Sequence, residues 1–356
     1  MNQNSTSAKH NTSFDILRII AAFSVVVLHV SGQYIMSYPV GSDEFCMSNF
    51  INSVSRFGVP IFVMISGAIF LSAEKSVSIS KIWLKNIFRL LIVFLIWSFG
   101  YYVFQSLYYW HFDFWNKGLL RTLVGCVYAS EHFWFLFMIM GLYTLIPLLR
   151  TWVHNATTKE LYYFVTLFVV FQILRTTFTI LLDKSLIYKL SDMFTIVELS
   201  GYLGYFVLGY LLTARPVSSK IKILVYSLTP IGIIANYAVS HYLSNKNGFY
   251  TPGIYDCFGI FTFIHIIALF LFVTDLIPAE ISNPKLSSYF KKLSLDTLGI
   301  YMMHVALLEY FVNEKILFGH MHPIPGILLL SIICFVISGI VSAILRRIPL
   351  IGHYIC

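Results

Sequence analysis

The chain has 356 residues, of which 58% are hydrophobic and 11% charged, with a mean hydropathy of +0.78 and a formal net charge of +8. Soluble domains carry roughly 25% charged residues, so this composition excludes a water-soluble enzyme or binding module and points to a polytopic membrane protein. The positive balance reads as topology, because a nucleic-acid binder would need a soluble basic domain that the sequence does not contain.

At about 20 apolar residues per crossing, ten membrane helices are predicted near 14–36, 57–73, 86–106, 132–149, 161–182, 194–213, 223–243, 258–277, 295–313 and 326–345. The predicted fold is therefore all-α, a polytopic helix bundle. Residues 1–13 form a polar cytoplasmic tail, 14–345 one transmembrane domain and 346–356 a short cytoplasmic tail. The apolar segment 118–130 is short and interrupted by charge, and is expected to be re-entrant or interfacial. The first apolar stretch is too long and too burdened by charge for a cleaved signal peptide, so it is expected to stay attached. With the N-terminus inside, sixteen of the 24 Lys and Arg residues fall on the cytoplasmic side, seven on the outer side, and Arg175 within a span. Both termini are then cytoplasmic.

The first span, FDILRIIAAFSVVVLHV, contains Arg18 and His29 with ten uncharged residues between them. An ionisable group inside hydrocarbon costs roughly 2.5–3.5 kcal/mol on insertion scales, and such groups mark function more often than packing. A spacing of eleven residues is close to three helical turns, so the two side chains share one stripe, offset by about 20° and separated by about 16 Å. The bland alternative is that Arg18 snorkels to the interface, but His29 lies too deep for that.

In the second span, SRFGVPIFVMISG, Gly58, Pro60, Ser66 and Gly67 punctuate an apolar run. Small residues in membrane helices usually serve close packing; Arg56, predicted near the outer surface, offers a contact for an anionic group. The third span opens with Lys81, Lys85 and Arg89 at every fourth residue. That stripe suits anchoring on anionic membrane lipid or a dock for a phosphate-bearing cosubstrate. The fourth begins HFWFL, where Trp134 fits an aromatic belt and His132 has no such simple reason. Near the C-terminus, SLDTLGIYMMH places Tyr301 and His304 three apart on one helix face. Arg175, Glu198, His265, Asp275 and Glu309 are further intramembrane ionisable residues without a partner in sequence. Five cysteines show no metal-binding spacing; Cys46 and Cys257 both fall in predicted outer loops and are expected to stay unpaired. No metal is expected.

Taken in order, D-x-x-R-x(10)-H (Asp15, Arg18, His29), SRFGVPIFVMISG, the basic run of the third span, HFWFL and SLDTLGIYMMH resemble the acyltransferase 3 family of integral membrane acyltransferases along almost the whole chain. The resemblance implies a bacterial inner-membrane enzyme that moves an acyl group, usually acetyl, from cytoplasmic acetyl-CoA to a hydroxyl of a surface glycan or a lipid-linked glycan. It also implies that Arg18 and His29 are the essential pair. Many members carry two adjacent arginines in the third span; here Lys85 and Arg89 are the basic residues available for the coenzyme. A fused periplasmic domain, present in some members, is not expected. The competing reading is a transporter or flippase, since buried charges also line substrate pathways, although no internal repeat of the transporter kind is visible.

Overall fold

A computed structural model describes residues 10–75, 77–109, 124–127, 130–181, 196–316, 318–349 and 352–355. Most of the 118–130 segment and of the N-terminal tail lies outside these residues, as do Lys117, Arg121, Lys184 and Lys189, the side chain of Glu198, and the ends of predicted spans 161–182 and 194–213 that face each other.

Among the described residues the chain is helical, without strands. In chain order the helices are α1 (Thr12–Ser37), α2 (Asp43–Val54), α3 (Gly58–Phe70), α4 (Ile79–Tyr108), α5 (Trp134–Asn155), α6 (Thr158–Leu181), α7 (Ile196–Ala214), α8 (Ser219–Asn247), α9 (Ile260–Leu276), α10 (Pro284–Leu295), α11 (Thr297–Asn313) and α12 (Pro323–Leu345). Seven runs are long and apolar enough to cross a membrane, counting α2 and α3 as one; α10 and α11, bent by 51°, form an eighth. The protein is a multi-pass membrane helix bundle. Every one of the ten predicted spans falls on a helix, but 194–213 and 258–277 are shorter than a full crossing. Helix α9 has 17 residues, about 25 Å of rise against a hydrocarbon core of about 30 Å. Helix α7 is broken at Gly201 (φ −17°, ψ −124°), leaving Gly201–Ala214 as its regular part.

The second span starts earlier than predicted. Residues 43–54 are polar enough to read as loop, yet Ser42 caps Phe45 N–H and Asp43 and Glu44 occupy the first turn, favouring a helix start. Its polar face is satisfied inside the bundle: Asn49 donates to Ser240 Oγ (3.1 Å), and Asn52 Nδ2 donates to Leu28 O and Ser31 Oγ, both at 2.9 Å. Arg56 consequently sits in the Ser55–Phe57 turn, thirteen residues into the Asp43–Phe70 run and about 20 Å from its start. It is not at the outer surface, as its loop-like surroundings in sequence suggested. Cys46 likewise lies in α2, against His241, and Cys257 against Tyr202; both thiols are free.

Hydrogen bonds sort the helix ends onto two faces. Thr12 N donates to Ala279 O, Arg150 to Phe70 O and Ser72 O, Arg215 to Thr158, Lys222 to Asp275 (2.6 Å) and Arg346 to Asp296 (2.9 and 3.1 Å). Those contacts share the face where both ends of the described chain lie, and it is the face with the excess of Lys and Arg, which the positive-inside rule makes cytoplasmic. They also supply Asp275 with the partner that sequence could not name. On the other face Cys46 and Asn49 meet α8.

Helix α1 is central, packing on α2, α3, α9, α10, α11 and α12. Asn11 starts it by accepting from Ser13 N and Phe14 N. Helices α3 and α7 approach closely because glycines face backbone: a Cβ on Gly67 would lie 1.7 Å from Phe206 O, and one on Gly209 2.0 Å from Met64 O. Without a hydrophobic drive between helices in lipid, such small-residue seams carry the association. Gly67→Ala is therefore expected to force α3 and α7 apart at a cost of about 3 kcal/mol. Thermal unfolding in detergent checks this, with Gly141→Ala as control because nothing lies within 4 Å of its added Cβ; equal midpoints for the two variants would refute the seam.

Candidate active site

A cavity of about 410 Å³ opens on the cytoplasmic face between α1, α3, α4, α5, α10 and α11. Its rim is charged. Asp15, 3% exposed, accepts from His10 Nε2 (2.5 Å), Ser294 Oγ (2.7 Å) and Arg18 NH1 (3.1 Å). Arg18, Arg89 and Lys291 line the same rim. A second lobe of about 260 Å³ shares His10, Asp15 and Arg18 and extends to Ser72, Glu74 and Lys75. Lys75, in the loop outside the spans, stands over the Phe70 ring at 3.4 Å. Burial, and then the neighbouring charges of Lys81, Arg18, Arg150 and Lys85, push its pKa down to about 8. The mouth is thus a concentration of cations around one satisfied carboxylate.

Inward, the lining turns apolar and aromatic with Phe62, Phe135, Leu136, Ile139 and Tyr143, joined by Ser66, and reaches Tyr301. Tyr301 donates to His132 O (2.6 Å). His132 and His304 stand against Tyr301, with ring centroids 5.5 and 5.9 Å from its own; the two are 5.6 Å from each other, and His29 packs against His304 at 5.1 Å. His132 and His304 are 4% and 0% exposed, and both Nε2 atoms lack a hydrogen bond of normal geometry. His29 is partly exposed, and among the described residues no hydrogen bond holds its ring. His132, at the start of the fourth span as expected, is buried between helices; it lies in the 3₁₀ turn Glu131–Phe133, with Nδ1 2.5 Å from Ser130 Oγ.

Beyond His29 lies Arg56, whose Nε and NH2 donate to Asn52 Oδ1 (3.2 and 2.8 Å) and whose NH2 also donates to Tyr250 OH (3.2 Å). Asn52 itself grips α1 at Leu28 and Ser31, on either side of His29.

The structure therefore brings Asp15, Arg18, Ser66, Arg89 and Tyr301 into one cavity; His29, His132 and His304 form a cluster next to it, through the contacts of His132 and His304 with Tyr301, and do not themselves line it. Lys85 is exposed and does not line the cavity; Trp134, 45% exposed, lies against Tyr202. The third-span stripe thus contributes Arg89 alone to the lining of this cavity; Lys81 and Lys85 lie toward the start of α4, which opens with a π-helical turn, Ile82–Ile87. In place of Lys85 the cavity takes Lys291 from α10. His10, Tyr143 and Lys291 were not singled out in sequence, because each enters by way of a contact between distant segments; Ser294 opens the SLDTLGIYMMH motif, but its bond to Asp15 is made only in the fold. Among the described residues no group of three or more His, Cys, Asp or Glu is arranged to hold a metal.

Residues 11–343 match the acyltransferase 3 family model, described as an acyltransferase domain. Comparison with curated proteins and with solved structures returned no match. The match spans nearly the whole chain and covers the charged cavity and the histidine cluster alike: this chain belongs to the acyltransferase 3 family and is a multi-pass membrane acyltransferase.

Proposed function

We propose that the protein is an O-acetyltransferase of the bacterial inner membrane, moving an acetyl group from cytoplasmic acetyl-CoA to a hydroxyl of a surface glycan or its lipid-linked precursor. The observation that carries this reading is one cavity with a cationic rim that reaches Tyr301, which packs against His132 and His304, with His29 next to His304. Coenzyme A is anionic at its nucleotide end, and Arg18, Arg89, Lys291 and Lys75 offer charge-assisted hydrogen bonds to its phosphates. The pantetheine arm then follows the apolar walls inward, along the stripe that separates Arg18 from His29 by about 16 Å.

At the inner end the neutral His29 imidazole acts as general base. It takes the proton of the glycan hydroxyl as that oxygen bonds to the acetyl carbon; the carbon–sulfur bond breaks, and the coenzyme thiolate leaves with the proton returned by the imidazolium. Arg56 lies on the outer side of His29, where an acceptor would arrive. The SRFGVPIFVMISG block and the modest size resemble the inner-membrane O-acetyltransferase that modifies enterobacterial common antigen, which makes this glycan the first acceptor to try.

The purified protein in lipid nanodiscs, given acetyl-labelled acetyl-CoA and glycan, is expected to release free thiol in step with a base-labile acetyl ester on the glycan. Acceptor movement across vesicles without thiol release would replace this reading with transport. A labelled acetyl group trapped on His29 would make that residue a nucleophile in place of a base.

A further inference from the structure

A histidine that works as a base needs a lone pair aimed at the proton and a partner on its other nitrogen that fixes the tautomer. His29 has no such partner in place: among the described residues nothing hydrogen-bonds its ring. The neighbour able to serve is His304. Its Nδ1 is 3.1 Å from Ile300 O, and a carbonyl can only accept, so Nδ1 bears the hydrogen and Nε2 is left as a bare acceptor. That Nε2 is fully buried and without a donor. A buried acceptor in this condition costs about 1–3 kcal/mol, so the fold maintains it against a penalty that a donor would remove.

The backbone around His304 is held with unusual care. Tyr101 OH donates to Met302 O (2.7 Å) and accepts from Ala306 N (3.0 Å), bridging the two groups that an α-helix would pair directly. This inserted hydroxyl fixes the turn carrying His304 against α4. The His29 and His304 rings stand 5.1 Å apart between centroids, tilted by 56°. At that separation two ring nitrogens turned toward each other stand about 3 Å apart, within hydrogen-bond distance, and catalytic hydrogen bonds are often loose until substrate binds.

We propose that His304 is the positioning residue of His29: its Nε2 accepts the His29 N–H, which leaves the other His29 nitrogen as the lone pair facing the reacting hydroxyl. A neutral imidazole thereby takes the place that a carboxylate holds in a serine triad, which suits a site inside hydrocarbon where an isolated anion would be costly. His132, its ring centroid 5.6 Å from that of His304 against 5.1 Å for His29, is the more distant candidate donor; its Nδ1 is 2.5 Å from Ser130 Oγ. The proposal rests on His29 being the base.

The test uses the full chain in nanodiscs with ¹⁵N-labelled histidine. In the wild type, His29 is expected as one tautomer, with a coupling across the hydrogen bond to His304 Nε2. His304→Phe, which keeps the ring but removes the acceptor, is expected to mix the His29 tautomers and lower kcat about 10- to 100-fold with KM for acetyl-CoA unchanged. His304→Gln, whose side-chain oxygen can accept at the same place, is expected to recover most of the loss. A His29 tautomer indifferent to His304→Phe would overturn the pairing, as would a wild-type spectrum without the coupling, which also decides the matter if the Phe variant does not fold. A coupling in a protein that does not consume acetyl-CoA would uphold the pair and remove the donor assignment.

Discussion

His29→Ala is expected to lower acetyl transfer by about 10²- to 10⁴-fold, the range that a positioned general base supplies, while the protein still inserts and binds acetyl-CoA. The separation of effects follows from where His29 stands. Its ring makes no hydrogen bond among the described residues and keeps part of its surface accessible, so its loss breaks no hydrogen bond, and it is not among the residues that line the cationic cavity. Thiol release under saturating donor and glycan is the measurement, with coenzyme binding as the fold control. Full acetylation by the variant would remove His29 from the chemistry, and lost coenzyme binding would recast it as part of the fold.

Arg18→Ala is expected to weaken acetyl-CoA binding about 10- to 100-fold, the loss of a charged hydrogen bond of about 1.5–3 kcal/mol. The buried Asp15 carboxylate keeps two of its donors, His10 and Ser294, in that variant, so the α1–α10 junction is expected to survive. Arg18→Lys should recover part of the affinity, since an ammonium supplies charge without the planar fork. Binding should also carry a pH signature from the second lobe. Lys75 has its pKa lowered to about 8 by burial and by neighbouring cations; it is protonated below that value and loses its charge as pH rises through it. Donor affinity is therefore expected to fall between about pH 7 and 9 in the wild type and to stay flat in Lys75→Arg, whose guanidinium titrates far higher. Equilibrium binding of labelled acetyl-CoA reads both effects, and an affinity insensitive to Arg18→Ala would move the phosphate dock elsewhere.

Hydropathy and the charge of the loops were enough to determine that the chain is an all-helical membrane bundle with both ends on one face, because each crossing must satisfy its backbone within itself and so writes its own apolar run. The stripe joining Arg18 to His29 was equally legible, since it depends on the period of a single helix. What sequence could not supply was any property made by two segments at once. The polar run 43–54 is helix with its asparagines satisfied by Leu28, Ser31 and Ser240, and that put Arg56 about 20 Å into the Asp43–Phe70 run, on the outer side of His29. Of the third-span stripe only Arg89 reached the cavity, while Lys85 is exposed, and α10, bent from α11 at an Asp296 held by Arg346, brought in Lys291 and Ser294. Three histidines from α1, the turn before α5, and α11 meet in one cluster. Local periodicity fixes which way a side chain leaves its own helix; which helix it then faces is decided by packing, and here packing assembled the site.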